Sequence, residues 1–344
     1  MSYRSALLLF LGLCSSQLAS AQALDLGFNA LGFFDNREYK GYANRSRTYS
    51  GTRFAFDLGL HLDSNNRFVA GLNGLHEFGA RPFFGKIDPV MYYQYTGQRW
   101  QFNAGAFPRE GLVSDFPRAL LNDTLRYFRP NVEGLLARYQ HGRFTTTVFI
   151  DWMSRQTATD REQFLFGSSG GLAPGDDGVI FGKYFVYMFH DAGAAVLRPD
   201  DRLSDNGAAQ FRIGLDLSRK QHFLDSLSLE AGGMFSFERT RGLGGWRTPK
   251  GFVASAYLAY RRFALFDEFY QGEGHNLIHG DRYFSQRFYN RLDVIFTPFL
   301  FRGIKGQFIF SFHQSPQGAG SNQQAFRITY DLGRRTLLRL RPDL

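Results

Sequence analysis

Hydrophobic and polar residues alternate one by one along most of this chain. In the stretch from Thr52 to Asp63, Phe54, Phe56 and Leu58 fall on one face, while Arg53 and Asp57 fall on the other. Successive side chains of a β-strand point to opposite faces, so the pattern predicts a strand with one apolar and one polar side. The same alternation recurs over residues 211–218, 288–294, 307–313 and 326–332.

The N-terminus has the layout of a secretory signal peptide. Arg4 precedes an apolar run from Ala6 to Leu13, and small residues follow as far as Ala21. This run is too short to span a bilayer as a helix. We therefore predict a signal peptide over residues 1–21, with cleavage near Ala21 or Ala23. The only cysteine, Cys14, lies within it, so the mature chain would have neither disulfides nor cysteine metal sites.

The composition then narrows the class of fold. The chain holds 38 Phe and 17 Tyr, yet its mean hydropathy is -0.29. A membrane β-barrel accommodates many aromatic rings against lipid, and every second strand residue stays polar or small. The net charge of +9 is compatible with anionic solutes or lipopolysaccharide phosphates. The arginines are spread along the chain, which argues against nucleic acid.

Turn signals divide the chain into strands. Short connectors near 64–66, 96–99, 141–143, 260–262 and 301–303 largely take turns with longer polar ones. The count reaches 16 strands if two ambiguous stretches, Gln163 to Gly171 and Val179 to His190, are both strands, with 14 to 18 as the range. We predict a single barrel domain over residues 24–333, followed by a short C-terminal tail over 334–344. A β-sandwich or β-propeller would explain the alternation, but not so many Phe-rich strands without an internal repeat.

The signal peptide, the alternating strands, the rhythm of short and long connectors, and the late strand AFRITYDL together resemble a Gram-negative outer-membrane β-barrel of the porin-like kind. The resemblance implies an all-β, transmembrane, antiparallel up-and-down barrel with short periplasmic turns and long extracellular loops. It also implies location in the outer membrane, contact with lipid and lipopolysaccharide, and passive transport. The tail that ends at Leu344 departs from the aromatic C-terminus usual in such proteins.

The candidate functional residues lie in connectors and on the polar strand faces. The long connector from Pro108 to Pro130 is predicted to fold inward and narrow the pore. The candidates for the constriction or for solute binding are Arg109, Arg118, Arg126, Arg129, Asp151 and Arg155. Rings of such charges set selectivity in channels. Arg53, Asp57 and His61 are predicted to face the lumen. Trp152, Asp267, Glu268, Tyr270, His76 and Glu77 could join a polar mouth that handles sugars.

The predicted function is passive diffusion of small hydrophilic solutes, with anionic solutes as one candidate class. Two alternatives stay open: a non-conducting barrel that serves as an adhesin or as a partner in secretion or polysaccharide assembly, and an outer-membrane enzyme. The chain has no G-x-S-x-G turn and no H-E-x-x-H motif. We therefore predict no enzyme, no catalytic residue, no metal and no cofactor. A homo-oligomer is possible.

Overall fold

In the computed structural model, which describes residues 22–41, 45–175, 178–196 and 202–339, the chain is a closed antiparallel barrel of 16 strands. The strands are β1 (Ala23–Glu38), β2 (Arg47–His61), β3 (Asn66–Glu77), β4 (Lys86–Thr96), β5 (Trp100–Pro108), β6 (Asn131–His141), β7 (Phe144–Ser154), β8 (Gln163–Leu172), β9 (Ile180–Asp191), β10 (Ser204–Asp216), β11 (Ser226–Thr240), β12 (Lys250–Tyr260), β13 (Phe263–Gly272), β14 (Phe288–Phe301), β15 (Ile304–Gln314) and β16 (Ser321–Arg339). A short helix α1 (Thr124–Phe128) and a 3₁₀ turn (Arg282–Ser285) lie between strands.

Each strand pairs with its neighbours in sequence, and β1 closes the barrel against β16. Closure leaves no strand edge with unpaired backbone groups, which is the condition for a sheet to sit in lipid. The predicted fold class is confirmed. Both ambiguous stretches are strands, β8 and β9, and they complete the count of 16. No helix among the described residues is long and apolar enough to cross a bilayer.

The connectors separate into two rims. One rim carries the start of β1, the end of β16 and the described residues of connectors 62–65, 97–99, 142–143, 173–179, 217–225, 261–262 and 302–303. The opposite rim carries the described residues of connectors 39–46, 78–85, 109–130, 155–162, 192–203, 241–249, 273–287 and 315–320. We call these the short-turn rim and the long-loop rim. In outer-membrane barrels the long loops face the outside of the cell.

The last strand runs past the boundary at residue 333 that the sequence analysis placed. β16 pairs with β1 from Asn322 to Arg339, with register shifts near Gly27 and Leu24. Residues 334–339 are therefore part of the barrel wall. The predicted signal peptide and residues 340–344 lie outside the described residues.

On strands with an alternating sequence, the apolar face points outward and the polar face points into the barrel, as the alternation predicts. On β2, the side chains of Phe54 and Phe56 are 38% and 49% exposed on the outer surface, whereas Arg53 and Asp57 are only 3% and 5% exposed. Outward-facing Phe, Leu and Ile recur on the other strands. They form an apolar band where lipid meets the barrel.

The barrel interior is packed at the level of two long connectors. Residues 109–130 form the first inner loop and residues 273–287 the second inner loop. Their apolar side chains join inward-facing strand residues in one buried cluster, in which Phe116 packs edge-on against Phe149 of β7 and Phe185 of β9. The hydrophobic core of this barrel thus lies inside it, between the inner loops and the wall.

Candidate functional site

One carboxylate fixes the first inner loop to the barrel wall. Asp123 forms ion pairs with Arg37 of β1 at 3.0 Å and with Arg327 of β16 at 3.1 Å. Arg118 of the same loop lies 4.0 Å from Asp123 and 3.8 Å from Asp293 of β14. Three guanidinium groups therefore surround one carboxylate inside the barrel.

The charges of this cluster control the protonation of Asp123. Burial alone would raise the pKa of Asp123, but the attraction of Arg118, Arg37 and Arg327 outweighs burial and holds the pKa well below its usual range. For Arg118, burial opposes the charge, yet Asp123 and Asp293 raise its pKa above the ordinary value. The cluster is therefore fully ionised at neutral pH.

Tyr127 forms a second anchor of the first inner loop. Its ring stacks on Phe33 of β1 with centroids 4.4 Å apart, and its hydroxyl accepts a hydrogen bond from Arg327 Nε at 2.9 Å. Arg53 of β2 donates to the Tyr127 carbonyl and pairs with Asp88 of β4 at 3.0 Å. The loop is thus held to β1, β2 and β16 by stacking and charge together.

The two inner loops also bind each other. Asn122 N donates to the His279 carbonyl at 2.7 Å, and Asp281 N donates to the Arg118 carbonyl at 2.8 Å. A Cβ at Gly280 would stand 2.3 Å from the Ala119 carbonyl oxygen, so the close approach of the loops requires glycine there. The two loops form one packed unit across the barrel.

The predicted constriction residues are divided among several contacts rather than gathered into one ring. Arg109 pairs with Asp151, and both side chains are buried. Arg129 donates to the Met153 carbonyl at 2.7 Å. Arg126 lies 3.4 Å from Glu110, with both side chains partly in solvent. Arg155 is exposed in the connector after β7.

A cavity of about 600 Å³ lies between the first inner loop and the walls of β1, β2 and β16. Arg118 and Arg126 line it from the loop, and Arg53, Asp57 and Arg327 line it from the strands. Near the short-turn rim, Arg334 bridges Asp57 and Asp25, each at 2.5 Å, and His61 lies 2.7 Å from Asp25. The predicted lumen residues thus stand in a network of opposite charges.

A serine and a histidine meet inside the barrel near the long-loop rim. Ser236 Oγ lies 2.8 Å from His275 Nδ1 and donates to Glu238 at 3.0 Å. Ser236 is 0% exposed and His275 is 2% exposed. A substrate cannot reach this serine without displacing the second inner loop, so the cluster serves to hold that loop.

A different group of polar residues faces the membrane. On the outer surface near the long-loop rim, strands β16, β1, β2 and β3 carry polar side chains where alternation elsewhere places Phe or Leu. We call this set the outer patch: Asn322 and Gln324 of β16, Asn36 and Glu38 of β1, Thr48, Ser50 and Thr52 of β2, and His76 of β3.

Hydrogen bonds connect part of the outer patch across three strands. Asn36 Nδ2 donates to Gln324 Oε1 at 2.8 Å and to Glu38 Oε1 at 3.1 Å, and Thr48 Oγ1 donates to Asn36 Oδ1 at 2.8 Å. Phe34 and Phe54, both exposed, continue these outward faces toward the middle of the barrel wall. The outer patch therefore sits where the apolar band ends, at the height of lipid headgroups.

His76 has its tautomer set by the backbone. Its Nδ1 lies 2.5 Å from the carbonyl oxygen of Phe83, and its ring stacks on the Phe83 ring with centroids 4.9 Å apart. A carbonyl only accepts, so Nδ1 carries the hydrogen and Nε2 of the neutral ring keeps its lone pair. His76 pairs in register with Thr52, and Ser50 lies two residues further along the same face. This arrangement places a base beside hydroxyl groups on adjacent strands.

Comparison with known protein families decides the class of this chain. The family model for proteins described as lipid A 3'-O-deacylase-type matches residues 16–316, most of the chain. The chain belongs to this family. Because the family is one of enzymes, the prediction that the chain is not an enzyme is wrong. The chain has neither a G-x-S-x-G turn nor an H-E-x-x-H motif, so the enzyme class is not visible from local motifs. No curated protein sequence matched the chain.

Solved structures agree on the fold. The trimer form of in-vitro folded OmpT from Vibrio cholerae is 8% identical, with a TM-score of 0.55 over 90% of this chain and 99% of that one. Pseudomonas putida OprB gives 11% identity and a TM-score of 0.54 over 94% and 97%. Pseudomonas aeruginosa OccK2, solved with glucuronate, gives 9% identity and 0.51 over 93% and 99%. These similarities confirm the porin-like outer-membrane barrel.

Most of the outer patch was not predicted from the sequence. His76 and Glu77 were predicted to join a polar mouth, whereas Asn36, Thr48 and Gln324 were not among the candidate residues. The usable signal is a break in the alternation: the outward positions turn from Phe to polar within a few residues of the strand ends at the long-loop rim. On a lipid-facing surface such residues are costly unless they lie at the headgroup level.

Docking of the second inner loop should depend on pH through two histidines. Burial, together with Arg247, lowers the pKa of His275 to about 4 against the opposing charge of Glu273. Burial, with Arg129 and Arg109, lowers that of His279 to about 4 despite Asp151. The docked loop favours the neutral rings, so its stability is complete above the unfolded pKa of about 6.5 and decreases as the pH falls toward 4. Each histidine contributes at most about 3 kcal/mol to this change.

We predict that hydrogen-exchange protection of residues 273–287, corrected for the intrinsic rate, falls between about pH 7.5 and about pH 4.5. The double variant His275→Gln, His279→Gln should show a much flatter profile. If protection in the unmodified chain did not change over this pH range, docking of the second inner loop would not depend on the protonation of His275 and His279.

Proposed function

We propose that this chain is an outer-membrane hydrolase that removes an ester-linked acyl chain from an outer-leaflet glycolipid of the lipid A class. The observation that carries the proposal is the outer patch, where His76 stands beside hydroxyl groups at the height of lipid headgroups. Membership of the lipid A 3'-O-deacylase-type family supports the same class of reaction.

The position of the outer patch suits an ester in a membrane lipid. The ester of a glycolipid lies between its sugar and its acyl chain, which is the boundary between polar and apolar layers. Phe34 and Phe54 face the acyl side, while Asn36 and Gln324 offer amide groups to the sugar side. The connector above carries the exposed residues Lys40 and Arg45, and the exposed Arg47 begins β2; their charge favours lipid phosphates.

The chemistry requires a base and a nucleophile. His76 Nε2 takes the proton of a hydroxyl as its oxygen attacks the ester carbonyl, and the protonated ring then returns the proton to the departing sugar oxygen. Water releases the acyl group from the enzyme in a second step of the same kind. Thr52, which is paired with His76 in register, and Ser50, on the same face, are the two candidate nucleophiles.

A second candidate, passive diffusion of small hydrophilic solutes, is supported by the porin-like fold and by the cavity lined by Arg118 and Arg126. The packing of both inner loops against the wall disfavours a wide channel. In planar bilayers we expect no stable open current from the unmodified chain, and a large one after residues 111–128 are replaced by a short Gly-Ser linker. Equal, stable conductance in the unmodified chain and in the linker variant would favour the channel. The ion selectivity of a variant with Arg118 and Arg126 neutralised would then show whether these charges set it.

Substitution of His76 tests the hydrolase. With purified protein and lipid A in mixed micelles, His76→Gln should lower the rate of fatty-acid release by about 10²–10⁴-fold, the usual contribution of a positioned base. Thr52→Val and Ser50→Ala identify the nucleophile by which of them abolishes release.

Two controls accompany this assay. His141→Gln changes an exposed histidine at the short-turn rim, and Ser236→Ala changes the buried serine inside the barrel. Both should retain the unmodified rate. Catalysis at the outer patch would be refuted if His76→Gln kept the full rate of fatty-acid release. It would also be refuted if Ser236→Ala abolished release while His76→Gln did not.

A further inference from the structure

A second membrane-facing feature lies across the barrel from the outer patch. A groove of about 300 Å³ is formed at the long-loop ends of β8 to β11 and by the connector 241–249. Its outward-facing side chains, with the connector residue last, are Phe164, Met188, His190, Asp205, Phe237 and Trp246. We call it the far groove. In the strand order of the barrel, β9 lies opposite β1.

The walls of the far groove are aromatic. Phe237 and Trp246 meet edge-on with centroids 5.8 Å apart, and the Phe164 ring lies 5.0 Å from the His190 ring. A Cβ at Gly207 would come within 2.2 Å of the Phe237 ring, so a glycine lets this ring lie flat on the sheet. The result is an apolar slot that opens toward lipid, and its aromatic walls suit an acyl chain better than a sugar.

The upper edge of the far groove is positively charged. The Arg239 guanidinium lies over the Trp246 ring, 5.5 Å from its centroid. Its Nε is buried without a hydrogen-bond partner among the described residues, and Asp205 stands opposite Arg239 in the register of β10 and β11. Arg241 pairs with Asp205 at 3.1 Å, and Asp205 also contacts His190 at 3.2 Å. This edge therefore holds two guanidinium groups, of Arg239 and Arg241, and one carboxylate, of Asp205.

An apolar slot beneath two guanidinium groups and one carboxylate matches an anionic lipid. The acyl chain of such a lipid extends along the barrel wall, and its headgroup phosphate reaches the level where the apolar band ends. Arginine binds phosphate through charge-assisted hydrogen bonds, and basic groups beside a membrane select anionic headgroups. A soluble peptide is a poorer match, because the slot opens onto the lipid-facing surface.

We propose that the far groove is a specific binding site for a phosphorylated outer-leaflet lipid, with one acyl chain against Phe237 and Trp246 and the phosphate on Arg239. This site is separate from the outer patch and does not depend on the proposed hydrolase activity. It would hold a lipid that is not being cleaved.

Native mass spectrometry of the full chain in detergent tests the proposal. Bound lipid is counted during titration with bisphosphorylated lipid A, and again with the same lipid after both phosphates are removed. All proteins carry His76→Gln, so that cleavage of the probe cannot affect the count. We expect two lipid A molecules to bind, one at the outer patch and one at the far groove, and the binding at the far groove to be stronger for lipid A than for the dephosphorylated form. Arg239→Gln and Trp246→Ala should each weaken that binding by about tenfold, while Arg239→Lys retains most of it.

The matched control is Arg287→Gln, which removes an exposed arginine at the same rim outside the groove. Heat-dependent migration on gels confirms that each variant is a folded barrel. The proposal is overturned if Arg239→Gln and Trp246→Ala bind lipid A like the parent protein. It is equally overturned if the dephosphorylated lipid binds as well, or if Arg287→Gln causes the same loss, since binding would then reflect general charge or hydrophobicity.

Discussion

The ion cluster around Asp123 is the constraint on which the rest of this structure depends. One buried carboxylate holds Arg37 and Arg327 of the wall and Arg118 of its own loop, and it thereby fixes the first inner loop across the barrel. A buried charge that loses its partner costs several kcal/mol, so the three arginines and the aspartate are strongly interdependent. With this loop in place the second inner loop packs against it, and the apolar side chains of both loops form a buried core inside the barrel.

Both proposed lipid sites lie on the outer surface of the barrel, outside its packed interior. Lipid surrounds the barrel, and an enzyme that acts on a membrane lipid gains by meeting it there, because the substrate then stays in its bilayer. The outer patch and the far groove both occur where the apolar band ends, and both combine aromatic rings with polar groups. They differ in chemistry: His76 offers a base beside hydroxyls, whereas Arg239 offers a charge beside an apolar slot.

The sequence predicted the fold well because alternation is a local property. Phe54 and Arg53 are adjacent, so their opposite faces can be read directly, and the turns at 142–143 and 302–303 have clear signals. The stretch that became β9 was ambiguous because it is aromatic on both faces. Its inward rings, such as Phe185, pack against the first inner loop. A local sequence pattern cannot predict contact with a loop that lies more than fifty residues away in the chain.

The sites were harder to predict because they depend on register and closure. Arg118 and Asp123 were visible as charges in a long connector, but their partners Arg37 and Arg327 lie near the opposite ends of the chain. The same is true of the outer patch, where Asn36 and Gln324 meet only because β1 closes against β16. A group of residues assembled in this way leaves no short motif in the sequence.

The central claim, that this barrel cleaves an outer-leaflet glycolipid at the outer patch, is tested most directly in a living membrane. Lipid A extracted from Gram-negative cells that produce the chain can be compared by mass spectrometry with that from cells producing His76→Gln at equal barrel levels. Catalysis by His76 predicts a lipid A species lacking one acyl chain in the first extract and its absence in the second. Identical lipid A in both extracts, with the barrel folded in the outer membrane, would contradict it.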